Sequence, residues 1–136
     1  MSETTLQTTT TSARNPVAVV LGATAAAVAI WIVATLAGAE LTVSFADQPI
    51  QKVTLVNVVV AALVGSLAGW GLLALLRRFT TNARAIWTVI AIVFLLFSLG
   101  SPLLATASAG TKVSLVAMHL AVGTVVILGL RRTRGR

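Results

Sequence analysis

The chain contains no cysteine, a single histidine and only three acidic residues among its 136 residues. Without cysteine it cannot form disulfides, thiolate nucleophiles, cysteine-ligated zinc sites or iron–sulfur clusters. One histidine cannot hold a catalytic metal alone, and it cannot supply the histidine pair that haem-binding helical bundles use. The apolar segments carry no Ser-His-acid set, and no glycine-rich phosphate loop precedes a suitable helix. We therefore expect a protein that is not an enzyme and that holds no metal or cofactor.

Charged residues make up 10% of the chain and hydrophobic residues 57%, whereas soluble domains are about 25% charged. The net charge is +7. A nucleic-acid-binding protein carries such charge as a face or a stripe, but here the basic residues form short clusters at the ends of apolar runs. The composition predicts an integral protein of the lipid bilayer without a nucleic-acid partner.

Four apolar runs organise the sequence, at residues 17–38, 53–76, 85–105 and 113–130. At about 1.5 Å per residue, helices of these lengths match the roughly 30 Å hydrocarbon core of a bilayer. The runs predict an all-α integral membrane protein, an antiparallel four-helix transmembrane bundle over residues 17–130. We expect the threonine-rich residues 1–16 to be a disordered tail and residues 131–136 to be a basic tail.

Basic residues are distributed unequally between the two ends of the predicted bundle. Lys52 and Lys112 lie at one end, and all eight arginines lie at the other. By the positive-inside rule, this bias predicts that both termini are cytoplasmic. The arginines that we expect to set the topology or to contact lipid headgroups are Arg77, Arg78, Arg84, Arg131, Arg132 and Arg134. The terminal arginines either attract anionic lipid or serve only as a topological anchor.

Two segments allow alternative interpretations. The first run ends in Ala37-Gly38-Ala39, which resembles a signal-peptidase site, but its twenty-two residues exceed the roughly 7 to 15 of a signal-peptide core. We expect this run to be retained as the first span. Residues 40–52 alternate apolar and polar side chains on both sides of Asp47-Gln48-Pro49, which fits either a short hairpin or an irregular loop on the headgroups.

Each predicted span carries one polar side chain in the outer third of the membrane: Thr35, Asn57, Ser98 and His119. His119 is the only ionisable residue inside a span. One interpretation is a functional polar site, because ionisable residues within a membrane commonly mark function. The other is that a neutral His119 bonds Asn57, Ser98 or a carbonyl and so joins the helices.

Small residues recur at four-residue intervals along the second span, at Ala61, Gly65 and Gly69. Such residues let helix backbones approach closely, so the stripe predicts a helix-packing face. Gly123 offers a matching shallow position on the fourth span. The stripe either packs within the bundle or forms a face between two copies of the chain.

Three short motifs carry a resemblance to a known family. Gly69-Trp70-Gly71 closes the second span, Ala85-Ile86-Trp87-Thr88-Val89 opens the third, and Met118-His119-Leu120 lies in the fourth. In this order, over roughly residues 17–132, the sequence resembles a family of small four-span integral membrane proteins from actinobacteria that is catalogued as a domain of unknown function. The resemblance implies a multi-pass protein of the bacterial plasma membrane, and it implies no activity.

These observations leave two functional classes. The first is a non-catalytic structural or interaction component of a membrane assembly, which packs with itself or with another membrane protein through small-residue faces. The second is a small transporter, channel or lipophile-binding protein that uses the polar level around His119 and Asn57.

Overall fold

The computed structural model describes residues 15–133. The helices are α1 (Pro16–Leu36), α2 (Leu55–Phe79), α3 (Ala83–Ser98), α4 (Gly100–Leu104) and α5 (Ala109–Arg131), and the strands are β1 (Thr42–Val43) and β2 (Gln51–Lys52). In this part of the chain α1, α2, the stretch Ala83–Leu104 and α5 are each long and apolar enough to span a membrane. The predicted all-α four-helix architecture is confirmed, and it indicates a multi-pass membrane protein. Most of the predicted N-terminal tail and Arg134 to Arg136 lie outside the described residues.

Side-chain caps determine where three of the helices begin. Asn15 accepts a hydrogen bond from the Val17 amide at 3.0 Å, and Pro16 occupies the first turn, where its missing N–H costs nothing. Thr54 caps α2 in the same manner. Ser108 accepts from the Thr111 amide at 3.2 Å, so α5 begins at Ala109, four residues before the apolar run that predicted it.

The third span is divided into two helices at Leu99. Pro102 lacks the N–H that would bond the Ser98 carbonyl in a continuous helix. α3 therefore ends at Ser98, and the short α4 continues the chain as far as Leu104. The Lys112 ammonium donates to the Leu103 carbonyl at 3.3 Å, which satisfies one of the free acceptors at the end of α4.

The spans pack as a ring in which each helix touches the next: α1 contacts α2 and α5, and α3 contacts the same two helices from the other side. We call the end of the bundle that carries the β1–β2 connection the hairpin end, and the opposite end, where α2 meets α3 and where α5 finishes, the arginine end. Antiparallel neighbours follow directly from the three-residue turn between α2 and α3.

Two apolar clusters fill the interior, and α1 contributes to both. The arginine-end cluster consists of Val19, Ala23, Leu73, Trp87, Val126 and Leu130. The hairpin-end cluster consists of Ala27, Ala34, Leu41, Val58, Ala62 and Met118. Because lipid tails are as apolar as these side chains, their stabilising effect comes from close van der Waals packing and not from removal of water.

The packing face of α2 differs from the predicted stripe. The buried residues are Val58, Ala62, Ser66 and Leu73, whereas Ala61 and Gly65 are exposed. A Cβ added at Gly65 would meet no atom within 4 Å, so of the two alternatives given for the stripe, packing within the bundle does not apply to Gly65. The helix is turned by one position, about 100°, relative to the prediction. The facing helix α1 already presents Ala23 and Ala27, so close approach does not require glycine on this side of α2.

Glycines do permit close contact elsewhere in the bundle. A Cβ on Gly69 would lie 3.5 Å from a Val126 methyl, so this predicted packing residue faces α5. Gly123, which was paired with α2 from the sequence, instead lies against Leu95 of α3, and an added Cβ would come within 2.7 Å of that side chain.

The connection between α1 and α2 is a two-stranded hairpin, as one of the two sequence interpretations predicted. Thr42 pairs with Lys52 and Val43 with Gln51, in antiparallel register. The chain reverses through Ala46, whose φ of 46° is left-handed. Ser44 continues the pattern by pairing with Thr106, which ties the hairpin to the segment between α4 and α5.

The packing of Gly129 predicts a specific stability defect. A Cβ at this position would approach two Val19 methyls to 2.7 Å and the Val19 Cβ to 3.3 Å. Valine cannot rotate away from such a contact, because its branch lies directly at Cβ. We expect Gly129→Ala to destabilise the fold by about 1–3 kcal/mol in thermal unfolding followed by tryptophan fluorescence in detergent. Gly71→Ala is the matched control, since a Cβ there meets nothing; equal losses in both variants would contradict the packing of α1 on α5.

Substitution of Ser66 is expected to change the stability of the fold in the opposite direction. It is fully buried, and among residues 15–133 its hydroxyl is the buried side-chain oxygen that has no hydrogen-bond partner. An unpaired buried polar group destabilises a fold by about 1–3 kcal/mol, so Ser66→Ala should raise the unfolding temperature. Ser98→Ala is the control, because the Ser98 hydroxyl is bonded to the Leu95 carbonyl and its removal should bring no gain. A lower unfolding temperature for Ser66→Ala would show that the hydroxyl has a partner after all.

Candidate functional site

The four polar side chains of the predicted outer level are bonded to backbone carbonyls near them in the chain. His119 Nδ1 lies 2.8 Å from the Leu115 carbonyl, one turn earlier on α5. A carbonyl oxygen only accepts, so Nδ1 carries the proton of this bond. The Ser98 hydroxyl donates to the Leu95 carbonyl at 2.8 Å. Both groups thus satisfy a donor within their own helix.

The remaining two members face away from the interior. Thr35 is exposed and donates to the Trp31 carbonyl at 2.8 Å. Asn57 is also exposed, and its amide nitrogen donates to the Lys52 carbonyl at 3.3 Å, just before α2 begins. Within residues 15–133, no hydrogen bond joins any two of these four side chains. The structure therefore places the predicted residues on separate helices without assembling them into a shared polar site.

Polar contacts between segments are found instead at the hairpin end. The Thr111 hydroxyl donates to the Glu40 carbonyl and joins the start of α5 to the chain that leaves α1. The Trp31 indole donates to the Val53 carbonyl at 3.1 Å and joins α1 to the residues before α2. These bonds, together with the Ser44–Thr106 pairing, close the hairpin end with neutral groups.

The arginine end is held by a second set of contacts, centred on Thr133. Arg77 Nη2 donates to the Thr133 carbonyl at 2.8 Å and to its hydroxyl at 3.2 Å, and Arg84 reaches the same carbonyl at 3.4 Å. Thr133 is 1% exposed, and its hydroxyl donates in turn to the Leu130 carbonyl at 2.7 Å. One residue at the end of α5 therefore fixes two arginines that flank the α2–α3 turn.

Sequence reasoning missed Thr133, although it treated its arginine neighbours as topological or lipid-contacting residues. The available signal was a hydroxyl side chain within an otherwise basic tail. Of the other predicted arginines, Arg78, Arg131 and Arg132 are exposed at the arginine end, and Arg134 lies outside the described residues.

Trp87 also has a role that the sequence did not reveal. From the sequence, Trp87 was assigned to the motif that opens the third span. In the structure it is 1% exposed, and its Nε1 donates to the Gly69 carbonyl at 2.8 Å. Trp87 thus makes a hydrogen bond between two spans, from α3 to the backbone of α2.

The exposed side of α2 forms a shallow surface that we call the α2 face, made of Ala61, Val64, Gly65 and Ala68. Three of these residues are alanine or glycine, and nothing in the described chain covers Gly65. A second transmembrane helix could approach this surface closely, because no large side chain holds it away.

Comparison with known proteins gives one match. The model of a family of unknown function, DUF6069, matches residues 7–136. No curated protein and no solved structure is measurably similar to the chain. Because the family match covers nearly the whole sequence, the chain belongs to the family of unknown function DUF6069.

Proposed function

We propose that this chain is a non-catalytic component of a membrane assembly, which associates through the α2 face with a second copy or with another membrane protein. In the same proposal the assembly lies in a bacterial plasma membrane, with both chain termini in the cytoplasm. The observation that carries the proposal is the position of Ala61 and Gly65 on the exposed side of α2.

The polar side chains within the spans support a structural role. His119, Ser98 and Thr35 each bond a carbonyl of their own helix, so each is satisfied without a ligand. A transport or binding site needs polar groups that converge on one place. Here the interior between the helices is occupied by two apolar clusters, and apart from the bond from Trp87 to the Gly69 carbonyl, the hydrogen bonds described above between segments lie at the two ends of the bundle.

The small residues of the α2 face favour association, because helices in lipid associate through close packing. Without a hydrophobic driving force between spans, helices associate through close van der Waals packing, and small residues permit the shortest separation. Ala61 and Gly65 do not contribute such packing inside the chain, so they are available to a neighbouring helix. Elsewhere the exposed surface of α2 includes larger side chains, such as Val56 and Val60, which suit contact with lipid.

The distribution of charge supports the proposed orientation. Arg77, Arg78 and Arg84 lie together at the arginine end, whereas Glu40 and Asp47 lie at the hairpin end. Cytoplasmic segments near membrane spans are enriched in basic residues, which favours a cytoplasmic arginine end.

A bulky substitution on the α2 face tests this proposal. We expect Gly65→Leu to prevent close approach of a second helix and to reduce the mass of the purified species to that of a single chain. The measurement is light scattering coupled to size-exclusion chromatography, after extraction in a mild detergent. Ala74→Leu provides the matched control, because Ala74 is also an exposed small residue of α2. It lies nine positions after Gly65, about two and a half turns, and so on the opposite side of the helix.

The wild type and Ala74→Leu should both remain in a larger assembly. A wild-type protein that is a single chain under these conditions would contradict the proposal. So would an assembly that Gly65→Leu leaves intact.

A further inference from the structure

A second feature of the molecule has no part in the proposed association: a pocket of about 340 Å³ at the arginine end. Its walls are Arg84 from the first turn of α3, Leu128 from α5, and Arg131 and Arg132 from the end of α5. The pocket is therefore formed where two helices meet, with three guanidinium groups and one apolar side chain around it.

The positive charge of this pocket is not compensated by acidic side chains of the described chain. In residues 15–133 the acidic side chains are Glu40 and Asp47, and both belong to the hairpin end. The two ends are separated by the length of α1, roughly 30 Å for its 21 residues. That separation is well beyond the screening length of about 10 Å at 0.1 M salt.

The backbone adds to the positive potential on the α3 side of the pocket. The N-terminal end of a helix carries a partial positive charge and favours anions, yet α3 has no acidic residue in its first turn and holds Arg84 there. The C-terminal end of α5 carries the opposite partial charge, which Arg131 in its last turn offsets. A bound anion would interact favourably both with Arg84 and with the start of α3.

Contacts around the pocket hold its walls in place. Thr133 anchors the chain directly after Arg132 by accepting hydrogen bonds from Arg77 and Arg84. Arg84, Arg131 and Arg132 are exposed, whereas Arg77 is half-buried. The Thr133 contacts thus join the end of α2 and the start of α3 to the chain that follows α5, directly beside the pocket.

Guanidinium groups bind phosphate oxygens through paired, charge-assisted hydrogen bonds. We propose that the pocket bounded by Arg84, Leu128, Arg131 and Arg132 binds a phosphate-bearing anion, with the arginines on the phosphate oxygens. A phospholipid headgroup and a soluble phosphate ester share this chemistry. Leu128, which is 46% exposed one turn before Arg132, provides an apolar surface on the side of the spans, as a lipid ligand would require.

The test uses the full chain in a neutral detergent and measures binding by the rise in unfolding temperature as ligand is added. Three ligands are compared: phosphatidylglycerol, the zwitterionic phosphatidylcholine, and soluble glycerol phosphate. The pocket variant is Arg131→Gln with Arg132→Gln. The matched control is Arg78→Gln, which removes an exposed arginine from the same end of the bundle without touching the pocket.

We expect phosphatidylglycerol to bind the wild type and Arg78→Gln alike, and to bind the pocket variant at least about tenfold more weakly, as loss of hydrogen bonds to a charged group implies. Equal binding of glycerol phosphate would identify the ligand as a soluble phosphate ester. Binding of phosphatidylglycerol alone would identify a lipid headgroup. In that case Leu128→Ser should weaken lipid binding as well, which gives a second variant that retains every arginine.

Two results would overturn the proposal. The first is that neither phosphatidylglycerol nor glycerol phosphate stabilises the wild type. The second is that Arg78→Gln weakens binding as much as the pocket variant, which would show a response to general surface charge. Neither result bears on the α2 face, since the two sites share no residue.

Discussion

The structure depends on one constraint of the bilayer, which is that polar groups within hydrocarbon must be satisfied inside the protein. α1, α2 and α5 obey it through backbone hydrogen bonds and through side-chain caps at their first turns. Several hydroxyl and imidazole side chains within the spans obey it by bonding a carbonyl of the preceding turn, as His119 and Thr35 do, whereas the buried Ser66 hydroxyl is an exception. A polar residue in a span is consequently not by itself evidence for a site.

The same constraint divides the molecule into zones. Hydrogen bonds between segments that are far apart in the sequence concentrate at the two ends of the bundle, where water or lipid headgroups are near. Neutral groups join the hairpin end, through Thr111 and the Glu40 carbonyl. Arginines join the other end, through the carbonyl of Thr133. Between these ends the helices meet mainly through apolar and small residues, with the bond from Trp87 to the Gly69 carbonyl as a polar contact between two spans.

This division explains what the sequence could predict. Hydropathy and span length are properties of whole segments, so the four spans and their antiparallel order could be predicted. The hairpin was one of two alternatives for the connection between the first two spans. Rotation of a helix about its axis depends on its neighbours. The α2 stripe was therefore assigned one position away from the buried Ala62 and Ser66, because lipid-facing and protein-facing residues are equally apolar in this chain.

The contacts at the ends were harder to predict because they join residues far apart in sequence. Arg77 and Thr133 are separated by 56 positions. In the sequence each is a single basic or hydroxyl residue, and neither belongs to a motif that would indicate its partner. The close approach of Gly129 to Val19 likewise requires knowledge of how α5 crosses α1. The start of α5 did have a local signal in the sequence, because serine is a common helix-capping residue and Ser108 caps α5 before its apolar run begins.

We propose that the hairpin end and the arginine end lie on opposite sides of a membrane, with the arginine end in the cytoplasm. The chain lacks cysteine, so single cysteines introduced by Gln48→Cys in the hairpin turn or Thr81→Cys in the α2–α3 turn report each end separately. Labelling of expressing bacteria with a membrane-impermeant maleimide measures this directly. The account predicts that the Gln48→Cys protein is labelled in intact cells and the Thr81→Cys protein only after lysis. Labelling of both proteins in intact cells, or of the Thr81→Cys protein alone, would contradict it.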